Sequence, residues 1–439
     1  MSDISLLCDL HVVIENGSKY TDESTLEYLF EVRSLFKCCF VNIISIRLLC
    51  IISSVICQQV SPPFEDTVNL CRWKGVATQN CSHLFHTVFT DEGVCFTFNM
   101  LSKVELFRGP GIAYYDDNGK RTEGWTLENG YPAYSPLDTY PYRALSAGLK
   151  AGLRFVMKAK LGDHDYYCKG AVPGFKVLLH NPAEVPSVGE RYLRAPLRQE
   201  VVAAITPKIM TTTKGLRKYP PNIRQCYFPT ERYLRNFKVY TQRNCELECL
   251  TNYTLKRCGC VAIHMPRSEN EKICGAGSKI CMQEATDSLK RREIELSYEV
   301  NIIEGSCNCL PACTSIQYDA ETSQADFNFE DVVRSYHDNM TEISGSSMAK
   351  VSVYFKELQF TTSRRSELFG LVDFLANCGG LLGLFCGVSL LSLVEIIYYA
   401  TLRFWNNVRQ TNRRKHTITP DTSIGHVHTI GSTLLGQNN

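Results

Sequence analysis

Apolar residues cluster in two long runs that bracket a mixed middle. The later run, Phe374–Val394, holds 21 residues without a charge, long enough to cross a bilayer as one helix. Gly379, Gly383 and Gly387 recur through it at one-turn spacing. That spacing predicts a narrow helix face that lets a neighbouring helix approach closely. The small-residue step Gly387-Val388-Ser389 is followed by Glu395. Such a step beside a carboxylate marks a candidate ion path rather than a plain anchor. The competing account is that the small residues only pack helices together. The earlier run, residues 38–57, is interrupted by Asn42 and Arg47, and a mid-span Arg costs about 2.5–3.5 kcal/mol on insertion scales. Three readings fit it: a first membrane helix with Arg33 and Lys37 on the cytoplasmic side, a signal sequence cleaved or retained, or a run created by an atypical N-terminus.

Between the runs the pattern changes repeatedly. From Ser61 to Pro141 the chain is rich in Gly, Pro, Asp, Asn and Tyr, which predicts loops and short strands. Alternating apolar positions predict strands over 151–160, 175–180, 198–206 and 350–360, with Val351, Val353 and Phe355 on one face. Cys245 and Cys249, with Leu250 and Tyr253 nearby, predict a helix over Cys245–Cys258. A second, heavily charged helix is expected over Asp287–Val300. Residues 416–439 are polar and show no core-forming pattern, so disorder is expected there.

Net charge is +2, which leaves no nucleic-acid footprint. Its placement is more informative. Arg403, Arg409, Arg413, Arg414 and Lys415 follow the later apolar run, with no acid between Arg403 and Asp421. Basic enrichment beside one end of a span predicts that this end is cytoplasmic, which puts the preceding segment outside. Cysteine usage agrees. Of 21 Cys, ten crowd between Cys226 and Cys313, and a dense, even set implies disulfides in an oxidising compartment. Zinc is the rival account, but no Cys-x-x-Cys pair occurs and His264 is the sole histidine in that zone. Sequons at Asn80, Asn252 and Asn339 fit an external face. No nucleophile elbow, dinucleotide fingerprint or phosphate loop is present, so an enzyme is not expected. His164-Asp165 reads as a polar loop, and Asp116-Asp117-Asn118-Gly119 as a turn.

The cysteine block runs Cys226, Tyr240-x4-Cys245-x3-Cys249-x8-Cys258-x-Cys260, Met265-Pro266, Cys274, Cys281 and Cys307-x-Cys309-Leu-Pro-x-Cys313. Around it stand Cys71-Arg-Trp-Lys-Gly75, Asp91 to Asn99, Gly174 to Pro182, and the block from Cys378 to Glu395. This arrangement resembles the degenerin/epithelial sodium channel family, and within it the insect pickpocket branch, over about residues 64–405. The resemblance implies an α+β disulfide-rich ectodomain with palm strands and thumb helices, plus transmembrane helices. It implies the pairs Cys226–Cys313, Cys245–Cys309, Cys249–Cys307, Cys258–Cys281 and Cys260–Cys274; Cys71–Cys81 is a further expected pair. The family partner of Cys95 lies on a strand after the first span, with Cys168 as the alternative.

The resemblance also places a selectivity filter at Gly387, Val388 and Ser389. Ala376, Asn377, Gly379, Gly380, Gly383 and Glu395 become pore-lining or gating positions. Ala376 matches a site where bulky side chains hold such channels open, and Asn377 replaces an acidic residue that some members carry. Two family features are not found: none of the ten histidines precedes a glycine, and only 13 residues separate Cys57 from Cys71. The domain expectation is therefore an N-terminal segment 1–37, cytoplasmic if 38–57 spans; a possible first span at 38–57; an extracellular domain 58–366; a second, pore-lining helix 367–400; and a cytoplasmic tail 401–439. The expected function is a subunit of a trimeric, sodium-selective, amiloride-sensitive channel of the plasma membrane, gated by ligand or force. It assembles as a homo- or hetero-trimer in membrane lipid, conducts Na+ passively, and needs no metal or cofactor. The alternative is a non-conducting, single-span modulatory subunit.

Overall fold

The computed structural model describes residues 61–78, 81–109, 111, 115–116, 119–163, 171–275, 278–298, 307–336, 345–368, 370–387 and 389–416. The apolar run at 38–57, His164-Asp165, Cys168, Asn80, Asn339, Val388, Asp117-Asn118 and residues 417–439 lie outside them. The chain divides into two compact units, one up to Ser366 and one from Glu367.

The first unit is built on a seven-stranded sheet. The region of expected short strands gives β1 (Val68–Trp73), β2 (Val76–Thr78), β3 (Phe85–Thr90), β4 (Gly93–Phe98) and β5 (Tyr115–Asp116). Then follow β6 (Leu153–Lys160), β7 (Gly174–Val177), β8 (Leu193–Pro196), β9 (Gln199–Thr212), β10 (Ser315–Asp326), β11 (Ser346–Phe355) and β12 (Thr362–Arg365). The main sheet has the order β10-β9-β11-β6-β1-β2, with β12 also on β9; β4-β3-β5 and β7-β8 form smaller sheets. Strand β11 lies between parallel β9 and antiparallel β6. Both its faces are covered, so Met348, Ala349, Val351 and Ser352 are all buried, as a central strand requires.

Strands fall near the four expected alternating segments, with shifted ends. Strand β9 runs six residues past Thr206 because β10 pairs with it from Ser315↔Met210 to Asp326↔Gln199. Strand β10 itself is absent from the sequence reading. Its outer positions, such as Glu321 and Gln324, are exposed, and an edge strand held by main-chain bonds needs no apolar alternation. Strand β7 ends at Val177, short of the expected residue 180.

Two large apolar clusters dominate the described part of the unit, beside two small ones around Phe228 and Val261. One joins Val88, Phe89, Leu106, Phe107 and Phe237 with Tyr240 and Cys245. The other sits on the main sheet and includes Cys71, Phe85, Phe155, Val201 and Val351. Helix α1 (Gln242–Cys258) starts where the Thr241 side chain accepts the Asn244 N–H, a standard N-cap. It stops at Gly259, which takes the left-handed conformation at φ 71°. Helix α2 (Lys279–Tyr298) begins eight residues before the expected Asp287.

Candidate functional site

Cystines determine how α1 is held. Cys245–Cys309 and Cys249–Cys307 join successive turns of α1 to one short segment. Residues at i and i+4 share a helix face, and alternate residues of an extended segment share a side, so both pairs close together. Cys226–Cys313 extends the ladder, Cys258–Cys281 ties the end of α1 to the start of α2, and Cys260–Cys274 closes the intervening loop. With Cys71–Cys81, these are the six pairs named from sequence. Tyr240 Oη also donates to the Leu310 carbonyl at 2.6 Å. Cys95 Sγ lies 3.1 Å from Thr90 Oγ1. Asn252 is exposed on α1.

A cavity of about 400 Å³ opens where the start of α1 meets the β7–β8 connection and β10. Glu184, Glu190, Arg243, Glu246 and Tyr318 line it. Arg243 pairs with Glu246 at 3.0 Å and with Glu190 at 3.3 Å, and Glu190 also meets Lys290 of α2 at 3.1 Å. Burial pushes the Glu184 carboxyl up to about 7, reinforced by Glu246 and opposed by Arg243 and Thr241. Burial likewise raises Glu246, against Arg243. Sequence reading missed this group. Glu184 and Arg243 belong to different elements, and no spacing links them.

The second unit carries the candidate pore residues. The expected single helix over Phe374–Val394 is corrected here: the run is broken. Helix α3 (Leu371–Cys386) ends, and α4 (Leu390–Ile397) starts after a gap. A π-helical segment, Tyr398–Arg403, and α5 (Phe404–His416) continue from it. Among the described residues no single helix is long and apolar enough to cross a membrane, whereas the bent pair Leu371–Cys386 and Leu390–Thr411 is, with a 90° bend.

The break has a local cause. Gly387 adopts φ 63°, ψ 17°, and its N–H returns to the Gly383 carbonyl at 3.1 Å, a helix stop that suits glycine. Ser389 then caps α4: its Oγ accepts the Ser392 N–H at 3.3 Å. Ala376, Asn377, Gly379, Gly380 and Gly383 lie on α3, Gly387 and Ser389 at the break, and Glu395 on α4. Val388 is outside the described residues. A Cβ built on Gly379, Gly380 or Gly387 meets nothing within 4 Å, so the described residues supply no packing reason for those glycines. Leu384, Phe385, Leu390 and Leu391 are at least 75% exposed. Apolar surface on this scale marks contact with lipid or with other helices.

A cystine-braced mixed α/β domain, followed in sequence by an exposed and broken apolar helix pair, defines the class. The chain belongs to the amiloride-sensitive sodium channel family, whose model matches residues 15–399. It is 31% identical to pickpocket protein 28 of Drosophila melanogaster over 376 residues, covering 81% of this chain and 60% of that relative. Pickpocket protein 11 of the same species is 29% identical over 256 residues, covering 57% and 46%. Acid-sensing ion channel 4 of Mus musculus is 30% identical over 203 residues, covering 45% and 35%. The chain thus spans three fifths or less of these relatives' lengths. The family is one of ion channels, not of enzymes.

Proposed function

We propose that the chain is a subunit of a trimeric, sodium-selective cation channel of the plasma membrane, blocked by amiloride and gated by ligand or force. The observation that carries this reading is the break at Gly387–Ser389. Within lipid an irregular backbone is tolerated only where it is buried in protein or lines water. A helix stop in the middle of an exposed apolar run therefore argues for a lumen beside it. The end of α3 brings backbone carbonyls and the negative end of its dipole to Gly387. Carbonyls and a hydroxyl there can replace part of the hydration shell of a small cation.

In this reading residues 58–366 are extracellular, residues 367–400 form the second span, and residues 401–439 are cytoplasmic. Basic residues after α4 support that orientation. The family match starts at residue 15 and runs through 38–57, which supports placing the first span there. Glycans on Asn80, Asn252 and Asn339 follow from the same topology. The relevant test is two-electrode voltage clamp of the chain, alone and with related subunits, under sodium, lithium and potassium. Amiloride-sensitive current whose ion preference changes in Ser389→Trp is the expected result. Permeation unaltered by Ser389→Trp sinks the filter assignment.

A further inference from the structure

We propose that Ser392, which carries no assigned role, is the positioning residue for Ser389. The inference rests on the conducting reading above. The two serines cap each other. Ser389 Oγ accepts the Ser392 N–H at 3.3 Å, and Ser392 Oγ accepts the Ser389 N–H at 3.4 Å. Their hydroxyl oxygens lie 3.3 Å apart. The Ser389 carbonyl is meanwhile engaged by the Leu393 N–H at 3.2 Å.

This pairing solves a specific problem. A helix that restarts inside an apolar run leaves its first N–H groups without intrahelical acceptors. Groups at the break that face away from the lumen find no water, and each one left open is costly. The Ser389–Ser392 box satisfies two of them with side chains one turn apart. It also fixes the Ser389 hydroxyl at the break instead of leaving it free to rotate. Ser392 therefore sets where the filter hydroxyl points, without itself lying at the three-residue step. A methyl group at position 392 leaves the Ser389 N–H open and removes the hydroxyl–hydroxyl contact, so that only the residue 392 N–H still holds the Ser389 hydroxyl. The conservative change Ser392→Thr keeps a hydroxyl oxygen at the same place.

The test uses the full chain and two readouts. In lipid nanodiscs, hydrogen exchange at the Ser389 amide is measured for the parent protein, Ser392→Ala and Ser392→Thr. Exchange should speed up about threefold to tenfold in Ser392→Ala, the worth of one cap bond, and return to the parent rate in Ser392→Thr. In the conducting assembly, sodium-to-potassium permeability should shift by a similar factor in Ser392→Ala, at unchanged surface expression, and recover in Ser392→Thr. A parent-like exchange rate together with a parent-like permeability ratio in Ser392→Ala overturns the proposal. So does a Ser392→Thr variant that behaves like Ser392→Ala. Ser389→Trp, recorded alongside, reports on the filter reading separately. If that variant permeates ions as the parent does, the filter assignment falls while amide exchange still decides the pairing.

Discussion

One carboxylate oxygen of Glu248 accepts the backbone N–H of Asn236 at 2.7 Å, and its other oxygen accepts that of Arg235 at 2.9 Å. Glu248 is buried on α1, and Asn236 is buried in the segment before it. The side chain thus clamps α1 to the chain that leads into it, next to Cys249. Hydrogen bonds to a charged acceptor are worth about 1.5–3 kcal/mol each, and a buried donor left open costs about 1–3 kcal/mol. Glu248→Ala should therefore destabilise the domain by about 3 kcal/mol. Thermal unfolding of detergent-solubilised chain would show it as a lowered midpoint with the six disulfides of the described residues intact. An unchanged midpoint would mean that water replaces the carboxylate.

The paired cystines Cys245–Cys309 and Cys249–Cys307 should respond non-additively. Either one alone already closes a loop of 64 or 58 residues. With one in place, the other closes only a small ring. With Cys226–Cys313 still closing the outer ring, loop-entropy arithmetic gives about 2–3 kcal/mol for losing one and about 5–6 kcal/mol for losing both. Single pairs replaced by serine should thus fold and traffic, whereas the double replacement should fail. Comparing surface delivery of the three variants checks this. Equal losses in singles and double would contradict the ladder argument.

The cavity beside α1 predicts a pH effect on stability. Glu184 has its folded pKa raised to about 7 from 4.5, so the folded state holds a proton that the unfolded chain releases. Its contribution is complete below about pH 4.5 and is lost as pH rises through about 7. The melting midpoint should fall between roughly pH 5 and pH 8, by the equivalent of about 2 kcal/mol. In Glu184→Gln this slope should flatten, with a higher midpoint than the parent above pH 7. A midpoint that rises over the same window in the parent would reverse the sign and refute the account.

What the sequence disclosed follows from how each feature is held. Five of the six pairs seen among the described residues were legible through the family resemblance, which fixed partners that spacing alone leaves open, and Cys71–Cys81 was a separate expectation. Strands β6, β9 and β11 were legible because one face must be apolar: Val201, Ala203 and Ile205 alternate into the core. Strand β10 was not, since its main-chain bonds to β9 do not depend on side-chain type. The start of α2 at Lys279 is hidden because the only covalent mark near it, Cys281, signals a cystine partner and not a helix. The break in the apolar run is obscured for a different reason. Glycine every fourth residue signals packing, although Gly387 followed by Ser389 and Ser392 is a helix stop and restart. The cavity acids carry no local signal, since burial created by the fold shifts them.

Ala376 tests the proposed gating role of α3. It shares a helix face with Gly380 and Gly383, at spacings of four and seven residues. Small side chains on that face permit three such helices to close on one another. In Ala376→Phe the added ring has to fit between neighbouring helices, and overpacking a close contact costs about 1–3 kcal/mol. That cost falls on the closed arrangement, where the helices are nearest, and so shifts the equilibrium toward the open one by about fivefold to a hundredfold. Unstimulated, amiloride-sensitive current should rise accordingly in Ala376→Phe. The same substitution at Leu381, about 140° round the helix from Ala376, should leave resting current at the parent level. Equal resting currents in the two variants would show that the face bearing Ala376 does not meet its neighbours at the gate.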